Sequence, residues 1–275
     1  MKTKDGYLTL NILVFVKATI DRNAPLDPDE IFPGDRDDKS DVMTNNYDKH
    51  AIEAALRIVE EKGEGKVTAV CLGSDMADKV VKEAIAMGCH GAIRIENSEA
   101  EITHFFSVAK ILAASAKKIG EYDLLIFGMQ SYDYGTATMA PMVAEFLDLP
   151  LACFVEKVSL NEGKITVEKV IEGGTRTMEL QMPAVLSIAS TGDYEEPRYT
   201  SVRRIMKASK TDVPIWEISD LGVDDDKPSV EFDDIEEPPA RTEKCVVIDD
   251  GDPNELVEKL LGALKEKGLN LGAYK

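Results

Sequence analysis

The chain has 275 residues, 51 of them acidic and 32 basic, for a formal net charge of −19. Such an excess of acid excludes nucleic acid as the main partner, because phosphate backbones are bound by Lys and Arg, and it disfavours an anionic membrane surface. With 44% hydrophobic and 30% charged residues, the chain reads as a soluble globular protein, built as one large domain or one domain with an appendage.

The cysteines Cys71, Cys89, Cys153 and Cys245 are far apart and form no CxxC pair. A zinc or iron–sulfur site is therefore not expected, and a reduced, cytoplasmic protein is. No run of about 18 apolar residues suggests a transmembrane helix. The apolar run Leu8–Val16 is too short to span a bilayer and reads as a first strand rather than a signal peptide. Three histidines, His50, His90 and His104, leave little for histidine catalysis. No residue stands out as catalytic and none as a metal ligand.

Residues 10–16 are nearly all apolar, as in a strand buried on both faces. Residues 21–47 are polar and rich in proline and acid, a long surface segment. A helix is expected from about Asp48, with Ile52, Leu56 and Val59 on one face and Gly63 at its end. Residues 67–72 form a second strand, and Gly73-Ser74-Asp75 leads into a helix over 76–87. Residues 92–95 give a third strand and 103–119 a helix with Phe105, Val108, Leu112 and Ala116 on one face. Residues 123–127 give a fourth strand, stopped by Gly128. A helix over 136–147 follows, in which Pro141 marks a kink or a shifted start. This alternation predicts a doubly wound α/β fold with a mostly parallel sheet. Ligands of such folds bind outside the carboxyl ends of the strands.

After Pro150 the pattern changes. Residues 152–160 and 164–171 read as a hairpin around Asn161-Glu162-Gly163. Residues 183–189 read as a strand and 201–208 as a short helix. Glu172-Gly-Gly-Thr175 reads as a turn. Residues 224–237 hold eight acids and one lysine, a solvated linker. Cys245–Ile248 is a candidate strand, and Asp252-Pro253 opens a last amphipathic helix. That helix docks on a partner or on its own domain. The organisation expected is an α/β domain over 8–223, with a β-hairpin extension, and a C-terminal arm over 224–275.

The stretch with the most chemistry is Gly128-Met-Gln-Ser-Tyr-Asp-Tyr-Gly-Thr-Ala-Thr-Met-Ala-Pro141. Gly128 and Gly135 allow close backbone approach. Thr136 and Thr138 offer hydroxyls, and the helix that follows offers N–H groups. Gln130 and Asp133 are suited to ribose or base edges. The stretch matches neither a P-loop nor a GxGxxG turn, so it reads as a nucleotide loop or as an ordinary strand-to-helix turn. Tyr132 and Tyr134 suit stacking on a ring or plain surface packing. Arg176, Arg198, Arg203 and Arg204 read as partners of acids.

From about residue 10 to 223 the chain resembles the beta subunit of electron transfer flavoprotein. The resemblance is carried by Val14-Phe-Val-Lys17 with Asp21, by Asn45-Asn-Tyr-Asp48 running into Ala51–Arg57, by Ala84-Ile-Ala-Met-Gly88, by the Gly128–Pro141 loop, and by Glu196-Pro-Arg-Tyr199 with Ile205-Met-Lys-Ala208. It implies an adenine nucleotide alpha hydrolase-like fold and a heterodimer with an alpha subunit. It also implies a buried nucleotide in this subunit, a structural AMP in simple members and a second FAD in electron-bifurcating ones. In the latter, electrons pass between NADH, ferredoxin or flavodoxin, and a flavin-dependent dehydrogenase.

Asp48, Thr136, Ala137 and Pro141 favour FAD. Asn46, Tyr134, Gly135, Thr138 and Ala140 depart from the bifurcating pattern, and Arg22 stands where simple members carry an aromatic residue. Carried over by position, the nucleotide contacts are Phe15, Asn45, Asp48, Leu72, Gly73, Gly128, Gln130, Asp133, Gly135, Thr136, Ala137, Thr138 and Met139. The segment Thr191–Glu195 resembles the family's recognition loop for dehydrogenases, with Tyr194 as the candidate contact. A simple carrier that holds AMP and a non-redox nucleotide module are the competing readings.

Overall fold

The computed structural model describes residues 9–21, 23–24, 41–97, 104–161, 163–223, 239–240, 242 and 244–269. Its chain forms two units, Met1–Asp233 and Asp234–Lys275. The acidic run 224–237, Arg22 and most of the 21–47 segment lie outside the described residues.

The first unit is built on strand β1 (Leu10–Val16). A short pair follows, β2 (Ala18–Ile20) with β3 (Val42–Thr44), antiparallel. Then come α1 (Asn46–Lys62), β4 (Gly65–Gly73), α2 (Asp78–Met87), β5 (Gly91–Glu96), α3 (Phe105–Ile119), β6 (Leu124–Gly128) and α4 (Met139–Leu147). The second half holds β7 (Leu151–Asn161), β8 (Lys164–Ile171), β9 (Gly174–Gln181), β10 (Ala184–Ile188), α5 (Val202–Ser209) and β11 (Ile215–Glu217). The main sheet has nine strands in the order β11-β5-β4-β1-β6-β10-β7-β8-β9. It is parallel from β11 to β7 and antiparallel across β7, β8 and β9.

β1 shows why both faces of the sheet are covered. Successive side chains of a strand point to opposite faces. Ile12 and Val14 join a core with α1 and α2, while Leu13 and Phe15 join another with α3 and α4. The chain runs from β1 outward to β4 and β5, then returns to pair β6 on the other side of β1. The order reverses between β1 and β6, so their carboxyl ends form the switch point at which such sheets leave a crevice.

Helix ends follow local chemistry. Gly63 closes α1 with a left-handed φ of 84°. Ser74 accepts the Met76 N–H and opens a short 3-10 turn at Asp75–Ala77 ahead of α2. α4 starts at Met139, not at 136, so Pro141 falls in its first turn, where no N–H is needed.

Four features depart from the expectations. Glu172-Gly173 is a turn, with Gly173 at φ 79°, but it leads into a third antiparallel strand, β9. The pair β2–β3 and the edge strand β11 were not anticipated, each being only three residues long. Cys245–Ile248 is irregular chain. Val246 and Val247 are exposed, and no ladder of the described residues receives them. In the second unit, α6 (Pro253–Glu266) is capped by Asp252, whose Oδ1 accepts the Asn254 N–H at 2.8 Å and the Glu255 N–H at 3.3 Å.

Candidate functional site

A cleft opens at the switch point, with about 960 Å³ of atom-free space, its open mouth included. The ends of β1 and β6, the start of α1, one side of α3 and the loop 128–140 line it.

The floor depends on Gly128. A Cβ there would lie 2.4 Å from Asp48 Oδ1 and 2.7 Å from the Tyr47 carbonyl carbon. Only glycine lets the first turn of α1 approach β6 so closely. Asp48 is thereby buried, at 5% exposure, and its Oδ2 accepts the Lys17 N–H at 2.7 Å. Burial pushes its carboxyl up to about 7, against the opposing pull of hydrogen bonds from the Lys17 backbone, Asn45 and the Gly128 backbone. A group of this kind changes charge near neutrality in contact with whatever fills the cleft.

Asn45 stands at the N-cap of α1 but does not cap it. Its Nδ2 donates to the Gln130 carbonyl at 2.9 Å, and its Oδ1 accepts the Tyr132 N–H at 3.0 Å. Its own N–H donates to the Lys17 carbonyl at 2.9 Å. One buried side chain thus fixes the first part of the 128–140 loop to the end of β1. The loop then turns through Gly135 at φ 62° and Ala137 at φ 54°. The latter is a conformation that non-glycine residues rarely adopt. The N–H groups of Thr136, Ala137, Thr138, Met139 and Ala140 have no protein acceptor among the described residues. Beside them the Thr136 and Thr138 hydroxyls are 3.0 Å apart. Successive free N–H groups ahead of a helix make a seat for an anion.

Much of the rest of the wall is apolar. The rings of Phe15 and Phe127 stack at 4.5 Å and 8°. Leu72, Phe105, Val108 and Leu112 extend this surface, and Phe105 meets the edge of Tyr134 at 5.4 Å. The cleft therefore joins an anion seat to a chamber suited to a flat ring.

Of the residues singled out by sequence, Phe15, Asn45, Asp48, Leu72, Gly128, Gln130, Thr136, Ala137, Thr138 and Met139 line this cleft. Gly73, Asp133 and Gly135 do not. Gly73 is occupied in packing: its carbonyl accepts Arg94 Nη1 at 3.0 Å, and a Cβ on it would lie 2.9 Å from Ala77 Cβ. The Asp133 carboxylate is paired with Lys17. Gly135 serves the turn. Sequence reasoning missed Asn97, Phe105, Val108 and Leu112 as lining residues. The helical spacing of Phe105, Val108 and Leu112 signalled only a buried face, and nothing in it separates core from cleft wall. Among the described residues no cluster of three or more His, Cys, Asp or Glu could hold a metal. No helix there is long and apolar enough to cross a membrane.

A second surface follows β10. Glu53 on α1 is buried and holds the chain there. Its Oε2 accepts Arg198 Nε at 2.7 Å and the Arg198 N–H at 3.0 Å. Arg57 Nε reaches its Oε1 at 2.6 Å. Arg198 also grips Glu60 through both Nη atoms, at 2.7 and 3.0 Å. These cations hold the Glu53 carboxyl below the usual range despite its burial. Tyr194 is 3% exposed, and its carbonyl lies 2.7 Å from His50 Nδ1. Tyr194 is therefore a packing residue and offers no exposed contact. Tyr199 is 99% exposed and Val202 74%, with Ile205 and Met206 beside them on α5.

Comparison with known proteins agrees with this architecture. A family model described as electron transfer flavoprotein domain matches residues 37–221. The chain is 36% identical over 243 residues to the electron transfer flavoprotein subunit beta of Bos taurus, covering 84% of this chain and 90% of that one. It is 35% identical over 271 residues to that of Homo sapiens, covering 94% and 98%. It is 30% identical over 262 residues to that of Bacillus subtilis, again covering 94% and 98%.

Proposed function

Since the chain belongs to the electron transfer flavoprotein family, among its beta subunits, we propose that it pairs with an alpha subunit and holds an adenine nucleotide in the switch-point cleft, and that this nucleotide is FAD. The observation that carries the reading is the union, in one cleft, of free N–H groups over 136–140 with the apolar chamber of Phe15, Phe127, Val108 and Leu112. A nucleotide phosphate suits the first and a flat ring system the second. AMP would fill the anion seat and leave part of the chamber without a partner.

When bound, the flavin supplies hydride acceptance from NADH and one-electron chemistry. The chain's own residues do the rest. The loop N–H groups and the Thr136 and Thr138 hydroxyls orient the phosphates. The stacked rings and aliphatic side chains exclude water. Asp48 holds or releases a proton at its carboxyl near neutral pH. In this reading the subunit passes electrons between NADH, ferredoxin or flavodoxin, and a partner dehydrogenase by bifurcation. The dehydrogenase docks on the exposed face of Tyr199, Val202, Ile205 and Met206, where Arg203 and Lys207 supply positive charge to an otherwise acidic chain.

Anaerobic titration of the heterodimer with NADH tests the proposal. NADH bleaches flavin in the wild type, and Leu112→Trp, which fills the chamber, removes that flavin while the heterodimer survives. Flavin that NADH cannot reduce, or flavin content untouched by the tryptophan, would refute the assignment.

A further inference from the structure

Lys17 belongs to the cleft wall, yet its side chain leaves the sheet. Its backbone is fixed: the N–H is bonded to Asp48 and the carbonyl to Asn45. Its Nζ crosses to the turn 131–135, where it meets Asp133 Oδ2 at 2.5 Å and lies 4.7 Å from the centroid of the Tyr134 ring. Tyr134 in turn stands edge-on to Phe105 of α3. The turn is tethered differently at its root and its tip. Asn45 ties the root, at Gln130 and Tyr132, by a buried side chain. The tip is tied by an ion pair whose side chains are 40% and 31% exposed. Beyond the tip, Gly135 and Ala137 take positive φ.

We propose that Lys17 is the clasp that holds the 131–135 turn across the cleft and so sets how long an adenine nucleotide stays bound. This rests on the reading of the cleft as a nucleotide site. The clasp is half-exposed and ionic, so salt weakens it while the buried root holds. Lys17 acts here as a positioning residue, through Asp133 and Tyr134, and touches no reacting atom.

The test follows release of radiolabelled AMP, the half common to AMP and FAD, from the loaded heterodimer into excess unlabelled AMP. Lys17→Met and Asp133→Asn each speed release about three- to tenfold, the range open to an exposed ion pair with a cation–π contact. The double variant is no faster than Lys17→Met, and Lys17→Arg restores slow release. Wild-type release quickens as ionic strength approaches about 1 M, where the screening length falls to roughly 3 Å, whereas Lys17→Met responds little. Both side chains are exposed, so the two single variants check each other without threatening the fold. Wild-type release from both single variants, or additive effects in the double, overturns the clasp and leaves the nucleotide reading standing. A wild-type heterodimer that, once freed of its own cleft nucleotide, takes up neither AMP nor FAD overturns that reading and the clasp with it.

Discussion

Asp48 makes the stability of this chain depend on pH in a direction opposite to that of most carboxylates. An unfolded aspartate ionises near 3.9, and burial lifts this one to about 7. Between those values the folded state holds the proton and the unfolded state does not. The stabilisation it gives is complete below about pH 4 and is lost as pH rises through about 7. A difference of about 3 units corresponds to at most about 4 kcal/mol, of which roughly 2–3 kcal/mol falls between about pH 5 and 7.

Asp48→Asn keeps a carbonyl oxygen for the Lys17 N–H and removes the titration. Urea unfolding of both proteins from about pH 5 to 8.5 measures the effect. Trp216 on β11, the sole tryptophan, serves as the probe. The variant should gain on the wild type by up to about 1.4 kcal/mol per pH unit up to about pH 7, then level off. Parallel stability curves across that range would refute the reasoning.

Gly128→Ala places a methyl against Asp48 and the Tyr47 backbone. It should lower stability by about 1–3 kcal/mol and empty the cleft, so a variant with normal melting and nucleotide content would show that the close approach does not matter. Asn45→Ala strands the Gln130 carbonyl and the Tyr132 N–H, at a cost of about 1–3 kcal/mol for each that stays dry. Equilibrium dialysis should then find weaker nucleotide retention. Arg198→Ala leaves buried Glu53 with Arg57 alone and should cost about 1–3 kcal/mol, discounted for the partial exposure of the arginine. Slower electron delivery to the dehydrogenase should accompany it. Under a chromogenic disulfide reagent at neutral pH, exposed Cys245 should react first. Cys71 and Cys89, whose thiols burial pushes up to about 12, should stay silent until unfolding.

The parallel core was legible because its strands are buried on both faces and so read as apolar runs. β1 and β6 were placed in this way, and with them the switch point. The 128–140 loop was legible from its glycines and hydroxyls. The parts missed have weaker signals. β9 is exposed along nearly its whole length at a sheet edge, and β2, β3 and β11 are too short for periodicity to register. Phe105, Val108 and Leu112 carry an ordinary helical stripe, which marks a buried face without saying that a cleft lies against it. Tyr194 was misjudged because an aromatic residue in a loop gives no sign of whether it packs inward. Arg198 and Glu53, 145 residues apart, hold the chain after β10 through a contact that no local pattern reveals. Asn45 was expected only as a nucleotide contact; it lines the cleft, and its side chain also bonds the backbone of the loop.

The central claim is that the switch-point cleft holds a flavin nucleotide. Denaturing the purified heterodimer and quantifying FAD and AMP by chromatography against protein tests it most directly. Two FAD and no AMP per heterodimer are expected. One FAD with one AMP would contradict the flavin assignment and reduce the Asp48 and Thr136 argument to a structural nucleotide, and one FAD with no second nucleotide would contradict the cleft as a nucleotide site altogether.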